Sequence, residues 1–344
     1  NQSYEGRLAL SHQPLGDIHG VWGIHVQSSE VFALEKQTGT QILPKALSQN
    51  VALFALENTN WRTVDFQFGI RIEQDAVNAE AYRSLAYTPV SAAVAAKWRI
   101  NPHNCLNLAL SRGARAPGVQ ELFTHGYHDA TRSYELGNAG LQVETFYNLD
   151  LGYRFRTDWL RAEFDWFHNW ADAYIYQQRN GDYVLEDGIQ RPVLAYDQQN
   201  ALFKGYEAKL VMPLVEHHQG ITELTLFSDY TRGQFAHGGD VPRMPPLRYG
   251  VEIGFSQSRL ATYLRLSRRE SQPYAGAFET STAGYYLLDY GFNYQFKTTP
   301  AGQYTLFVKA NNLLNANPRN ATSYLRNFAP EAGRSAELGF RVAF

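Results

Sequence analysis

The chain has 344 residues and a net charge of −2, and it is 44% hydrophobic and 14% aromatic, with 22 Tyr and 20 Phe. That charge excludes the basic surface needed for non-specific nucleic-acid binding, and a single cysteine, Cys105, excludes an intrachain disulfide framework. A mean hydropathy of −0.39, with no apolar run near about twenty residues, excludes a transmembrane helix but not a barrel strand, which puts only alternate residues in lipid.

Nothing like a signal peptide opens the chain, because Asn1-Gln2-Ser3-Tyr4 leads straight into Leu8-Ala9-Leu10. An exported protein with this sequence is expected to be a mature chain or an internal fragment. Alternation and turn signals then give about fifteen strand segments. The first three are residues 4–12, 18–35 and 49–57. In 61–74, Val64, Phe66, Phe68, Ile70 and Ile72 alternate with Asp65, Gln67, Gly69 and Arg71. Residues 90–100 and 104–115 follow, and after a long loop come 144–156 and 159–178. In 144–156, Tyr147, Leu149, Leu151, Tyr153 and Phe155 oppose Asn148, Asp150, Gly152 and Arg154. The remainder are 194–215, 221–235, 247–257, 260–271, 280–296, 303–315 and 334–344. The last sets Ala336, Leu338, Phe340, Val342 and Phe344 on one face and Ser335, Glu337, Gly339, Arg341 and Ala343 on the other. No helical periodicity of useful length competes.

The connections alternate in length. Counted back from the C-terminus, long segments at 317–333, 272–279, 236–246, 179–192 and 116–143 take turns with short ones at 297–302, 256–258, 216–220, 157–158 and 101–103. Outer-membrane barrels have short periplasmic turns and longer extracellular loops, and a soluble meander has no reason to keep that order. The expected fold is therefore all-β, an antiparallel transmembrane β-barrel with lipid outside, a wet lumen inside and a periplasmic C-terminus. An odd strand count cannot close an up-and-down bacterial barrel, so strands are expected to be missing at the N-terminal side.

Four stretches together resemble the C-terminal part of TonB-dependent outer-membrane receptors. They are Ser111-Arg112-Gly113-Ala114-Arg115-Ala116-Pro117 with Glu121-Leu122-Phe123; Tyr134-Glu135-Leu136-Gly137-Asn138 with Leu141, Glu144 and 148–153; Val308-Lys309-Ala310-Asn311-Asn312-Leu313-Leu314-Asn315; and 333–344. The family usually has Pro after the Gly-Asn, where this chain has Ala139. The resemblance implies a barrel of about twenty-two strands whose lumen holds an N-terminal plug. The whole of 1–344 would then be a partial barrel, with the plug and the first strands outside it. It also implies a Gram-negative outer-membrane protein energised through that plug by the TonB–ExbB–ExbD system. The branch it looks most like takes up zinc. There, a His on the extracellular side between the stretches matching Glu121-Leu122-Phe123 and Glu135-Leu136-Gly137-Asn138 contributes to a zinc site above the lumen, with groups from the plug and an earlier loop. His128 is the matching residue.

Strand direction sorts the ten His. His12, His103, His217 and His218 fall on periplasmic turns, His19 and His25 in the wall, and His168 in an outer aromatic girdle with Phe164, Trp166 and Trp170. His125, His128 and His237 remain for the extracellular side. His125 and His128 lie in the longest loop beside Glu121, Asp129 and Glu135, and His237 could cap the same opening. Zinc takes about four ligands, usually His, Cys or carboxylate; imidazole and carboxylate without thiolate also suit copper, nickel or cobalt. The expected metal-binding set is His128, His125, His237, Glu121 and Asp129, with zinc as transported substrate. The rivals are a haem receptor of the same superfamily, with His125 or His128 as axial ligand and Phe123, Tyr127 and Tyr134 packed on the macrocycle, and a passive porin of roughly sixteen strands. An enzyme is not expected: there is no Gly-x-Ser-x-Gly elbow and no carboxylate pair placed for acid–base work.

Overall fold

Period-two alternation turns into strands wherever each face has a fixed environment. The computed structural model describes residues 1–34, 39–186, 188–217, 220–296 and 302–343. His218, Phe344 and parts of the turns expected at 216–220 and 297–302 lie outside the described residues. The strands are β1 (Gln2–Ser11), β2 (His19–Leu34), β3 (Gln41–Trp61), β4 (Val64–Ala79), β5 (Leu85–Tyr87), β6 (Val90–Asn101) and β7 (Asn104–Arg115). Helix α1 (Val119–Phe123), β8 (His125–His128) and β9 (Ser133–Leu136) come next. Then follow β10 (Glu144–Arg156), β11 (Arg161–Glu186), β12 (Ile189–His217), β13 (Gly220–Phe235), β14 (Arg248–Ser256), β15 (Leu260–Arg269), β16 (Tyr285–Gln295), β17 (Gln303–Asn311) and β18 (Ser335–Ala343).

All eighteen belong to one sheet. Apart from the short β5, β8 and β9, the rest form an antiparallel wall that follows chain order, β4 pairing with β6 and β7 with β10 across the two long loops. Each wall strand overlaps one of the fifteen expected segments, and their ends differ: β3 takes in Trp61, β4 runs on to Ala79, and residues 280–284 and 312–315 lie outside β16 and β17. Two further differences are larger. Residues 179–192 are not a loop: β11 and β12 continue as a ladder to Glu186↔Ile189, with register shifts at Ala171/Tyr174 and Arg179/Tyr183. The third strand starts eight residues earlier than expected, at Gln41 rather than 49. At the two sides of the sheet, β1 pairs with β2 and β18 with β17.

The two faces differ as a barrel wall requires. Outward residues stand bare: Leu53 is 62% exposed, Ile70 49%, Ile253 53% and Leu338 73%. Among the described residues no second sheet covers them, and so broad an apolar surface is stable only against lipid. His168 joins this face, its ring 4.4 Å from that of Trp170 and 5.8 Å from that of Trp166. The inner face carries Asp150, Arg154, Asp165, Glu207, Arg248, Glu252 and Arg265, several in ion pairs such as Arg154–Asp165 at 2.8 Å and Arg265–Glu252 at 2.5 Å. His25 is an inner wall residue, its Nε2 2.9 Å from Glu5 Oε1 and its Nδ1 3.1 Å from Arg71 Nη2. The buried apolar residues gather at the end that carries the 116–143 segment, in one cluster around Leu43, Leu122, Phe123 and Ile175 and a second around Tyr176, Phe235 and Val241.

Inner-face aromatics lie flat across a glycine on the next strand. Phe167 is paired with Gly205, Phe227 with Gly250, Tyr263 with Gly291 and Phe307 with Gly339. A Cβ on Gly291 would come within 2.2 Å of Tyr263 Cε1, and one on Gly339 within 2.1 Å of Phe307 Cζ. Gly291→Ala and Gly339→Ala should each destabilise the barrel in detergent by about 1–3 kcal/mol, the usual cost of overpacking. Gly69→Ala, whose nearest neighbour would be 3.6 Å away, should leave the unfolding midpoint within error.

Candidate functional site

Strand sense alternates from β10 to β18, which places Glu144 and the 116–143 segment at the end of the molecule opposite Ala343. That segment is folded rather than loose. It starts from Arg115, whose Nε donates to Glu144 Oε1 (2.7 Å) while Nη1 and Nη2 reach Glu121 Oε2 and Oε1 (2.8 and 3.0 Å). Glu121 also accepts the Gly118 N–H at 2.7 Å, closing the first turn of α1. Leu122 and Phe123 then bury themselves among Leu43, Val77, Leu141 and Ile175. Backbone returns over the helix: Gly137 N donates to Thr124 O (2.7 Å) and Asn138 N to Glu121 O (2.8 Å). Only glycine fits there, since a Cβ on Gly137 would meet Phe123 N at 2.6 Å. The Glu-Leu-Gly-Asn stretch is thus the clasp that fixes β9.

Antiparallel β8 and β9 form a short hairpin, with His128 opposite Ser133 and Gly126 opposite Glu135. β9 joins the upper part of β12 in parallel, Leu194 opposite Glu135, and Gly126 faces Ile42 on β3. The hairpin therefore lies across the inside of the mouth. His128 Nδ1 is 3.0 Å from Glu135 Oε1, the carboxylate side chain being 3% exposed and the imidazole 45%. Thr131 Oγ1 donates to the same oxygen at 2.9 Å, and Ser133 Oγ donates to Thr131 Oγ1 at 2.7 Å. In the neutral tautomer that gives Nδ1–H to the carboxylate, the Nε2 lone pair points away from it. Burial raises the Tyr196 and Tyr324 phenols above the ordinary tyrosine value, and the nearby Glu135 adds to this at both, so both stay protonated donors.

The other expected residues are arranged differently. His125 projects from the opposite face of the hairpin, edge-on to Tyr134 with ring centroids 5.5 Å apart. Glu121 has both oxygens committed to Arg115. Asp129 is exposed in the hairpin turn, where its carbonyl accepts the Arg132 N–H at 3.3 Å. His237 is exposed in its own turn between β13 and β14, closed by Phe235 N donating to Gly239 O at 3.0 Å. Among the described residues, no three His, Cys, Asp or Glu side chains come together as a metal cage.

Around the hairpin the outer loops lock onto one carboxylate. Glu279, between β15 and β16, takes Arg243 Nη1 at 3.3 Å from the β13–β14 loop and Arg326 Nη2 at 2.9 Å from the β17–β18 loop. Arg243 lies 4.3 Å over the Tyr324 ring, and Tyr324 donates to Gln177 Oε1 at 2.7 Å. Arg132 at the hairpin tip lies 4.6 Å over Phe328. Removing one partner of a buried ion pair is strongly destabilising because it strands the other charge. Glu279→Ala should therefore make 312–334 cleavable by protease added outside intact cells, where the parent protein resists, while the barrel stays folded.

The family described as TonB dependent receptor-like, beta-barrel, matches residues 3–313. Among solved structures, the copper transporter OprC superposes with a TM-score of 0.78 at 15% identity, over 99% of this chain and 56% of that one. The FrpB iron transporter from Neisseria meningitidis gives 0.72 at 12% identity, over 98% and 54%. The siderophore receptor PirA from Acinetobacter baumannii gives 0.65 at 15% identity, over 98% and 54%. At such identities the likeness is one of fold, and the chain spans about half the length of these structures.

Proposed function

The chain belongs to the TonB-dependent receptor β-barrel family, and on that premise we propose that it forms part of an outer-membrane uptake receptor for a scarce metal ion, zinc foremost. The ion is captured at the extracellular mouth on His128 Nε2. Inward passage is driven through the TonB–ExbB–ExbD system acting on a plug outside this chain.

The observation that carries this reading is the His128–Glu135 contact. Metal-binding histidines characteristically give their second ring N–H to a carboxylate, which fixes the tautomer and makes the other nitrogen a better donor. Here the carboxylate is buried and the imidazole half-open, the arrangement a ligand approached from outside requires. His125, Asp129 and His237 are exposed candidates to complete the coordination once loops move, and Glu121, held by Arg115, is the least available. An incomplete site suits capture followed by release, because a closed four-thiolate site would hold the ion too tightly to pass on. Imidazole without thiolate accepts zinc and equally copper, nickel or cobalt; zinc is favoured by the motif likeness to zinc-uptake receptors.

Titrating the complete receptor with Zn(II) against a chromogenic chelator tests the reading. His128→Ala should weaken binding at least about tenfold and abolish metal-limited growth, and Glu135→Gln should weaken it by about 10–100-fold, the range for such supporting carboxylates. Unchanged zinc binding in His128→Ala would refute it, as would a Soret shift on adding haem that His128→Ala or His125→Ala removes.

A further inference from the structure

The geometry points to a docking site for a phosphate-bearing glycolipid of the outer leaflet on the outward wall at β6, β7, β10 and β11. Outward positions of β6 are small, Ala92, Val94 and Ala96, while its neighbours carry Ile70 on β4 and Leu108 and Leu110 on β7. The wall is therefore notched by one strand width. The notch forms a groove of ≈ 440 Å³ lined on its outward side by Ala92, Val94, Leu110, Arg112, Tyr147 and Trp170. One row of direct cross-strand pairs runs Ile70–Ala92–Arg112–Tyr147–Trp170. The row lies near the extracellular ends of the strands, where Tyr and Trp mark the membrane–water boundary.

A cation closes the top of this apolar groove. The Arg112 guanidinium lies 5.9 Å from the Tyr147 ring centroid. It donates to the Val90 carbonyl and, at 3.4 Å, to Thr145 Oγ1. Arginine has five N–H donors, so several still point outward, and among the described residues no carboxylate is paired with this charge. Its counterparts elsewhere on the outward rim are neutralised: Lys45 by Glu30 at 3.0 Å, Arg232 by Asp240 at 3.2 Å and Arg268 by Glu270 at 3.2 Å. A second cation, Lys204, is exposed across from His168, two strands beyond Tyr147, and pairs with no carboxylate among the described residues. Asp172 stands two pairs above Trp170, opposite Thr145. An unpaired guanidinium over a hydrocarbon groove matches a lipid whose phosphate binds Arg112 in the bidentate manner guanidinium favours while an acyl chain fills the trough between Val94 and Leu110.

The test uses the complete receptor, delipidated in dodecyl maltoside, with lipid A carrying its phosphates and with enzymatically dephosphorylated lipid A. Native mass spectrometry should show one phosphorylated lipid retained per barrel. Arg112→Ala should reduce retention at least tenfold, and Ala92→Trp, which fills the trough and leaves the charge, should do the same. Ala92→Leu serves if the larger residue impairs assembly. Zinc binding should be untouched in each. Equal retention by Arg112→Ala, equal retention of the dephosphorylated lipid, or a dimer that Ala92→Trp dissociates, meaning a second copy occupies the groove, would each overturn the assignment.

Discussion

Every peptide group crossing hydrocarbon must find its hydrogen-bond partner within the protein, since no lipid chain can supply one. The remainder of this architecture follows from that restriction. A sheet satisfies its strands only through neighbours, so the wall strands bind one another in unbroken chain order. Once the backbone is committed, side chains have two destinations. Apolar ones such as Leu53, Ile253 and Leu338 are exposed to an extent that would be ruinous in water and is costless in lipid. Polar ones fill the lumen, where ion pairs between adjacent strands, such as Arg248–Asp229 at 2.6 Å, add local order in a wet setting.

The glycine–aromatic pairs show how the inner face is kept open and curved. A residue with a side chain at position 205 or 250 would crowd a concave surface; glycine lets Phe167 or Phe227 lie flat against the neighbouring strand. Cations then stack above: Arg265 is 5.2 Å from the Tyr263 ring centroid and Arg341 5.8 Å from that of Phe307. The aromatic covers the backbone and offers its π-face to a guanidinium, giving apolar contact and charge a common place on one luminal surface.

Period two made the wall legible because lipid and lumen impose opposite demands on successive residues along each span. Above the membrane that contrast disappears, and legibility goes with it. Arg179-Asn180-Gly181-Asp182 reads as loop, yet it lies within strand β11, which pairs with β12 on either side of the register shift between Arg179 and Tyr183. The candidate site was expected as a region, since the family resemblance matched His128 between Phe123 and Glu135. Its internal geometry was not, because β8 and β9 are held by distant partners, the parallel contact with β12 and the clasp over α1. One signal was available and would have helped. His125 and His128 are three apart, and in an extended strand an odd spacing sends the two side chains to opposite faces. The same parity brings His128 and Glu135 to one face of a hairpin.

The charge balance at the mouth bears on what that geometry can attract. Arg115 is set between Glu121 and Glu144, and Glu279 between Arg243 and Arg326. Among the described residues, Glu135 is different, because it is buried and meets no Lys or Arg; the donors around it are the His128 imidazole and the Thr131 hydroxyl. A buried carboxylate that meets only an imidazole and a hydroxyl carries a large desolvation cost. On the proposed reading, a divalent cation on Nε2 would polarise the imidazole, strengthen the Nδ1–H···Glu135 bond and offset that cost, so that the carboxylate would act on the ion without touching it. An anionic ligand at the same place would face the Glu135 carboxylate without that compensation, so on the same reading a bare metal ion is expected there rather than an anionic chelate.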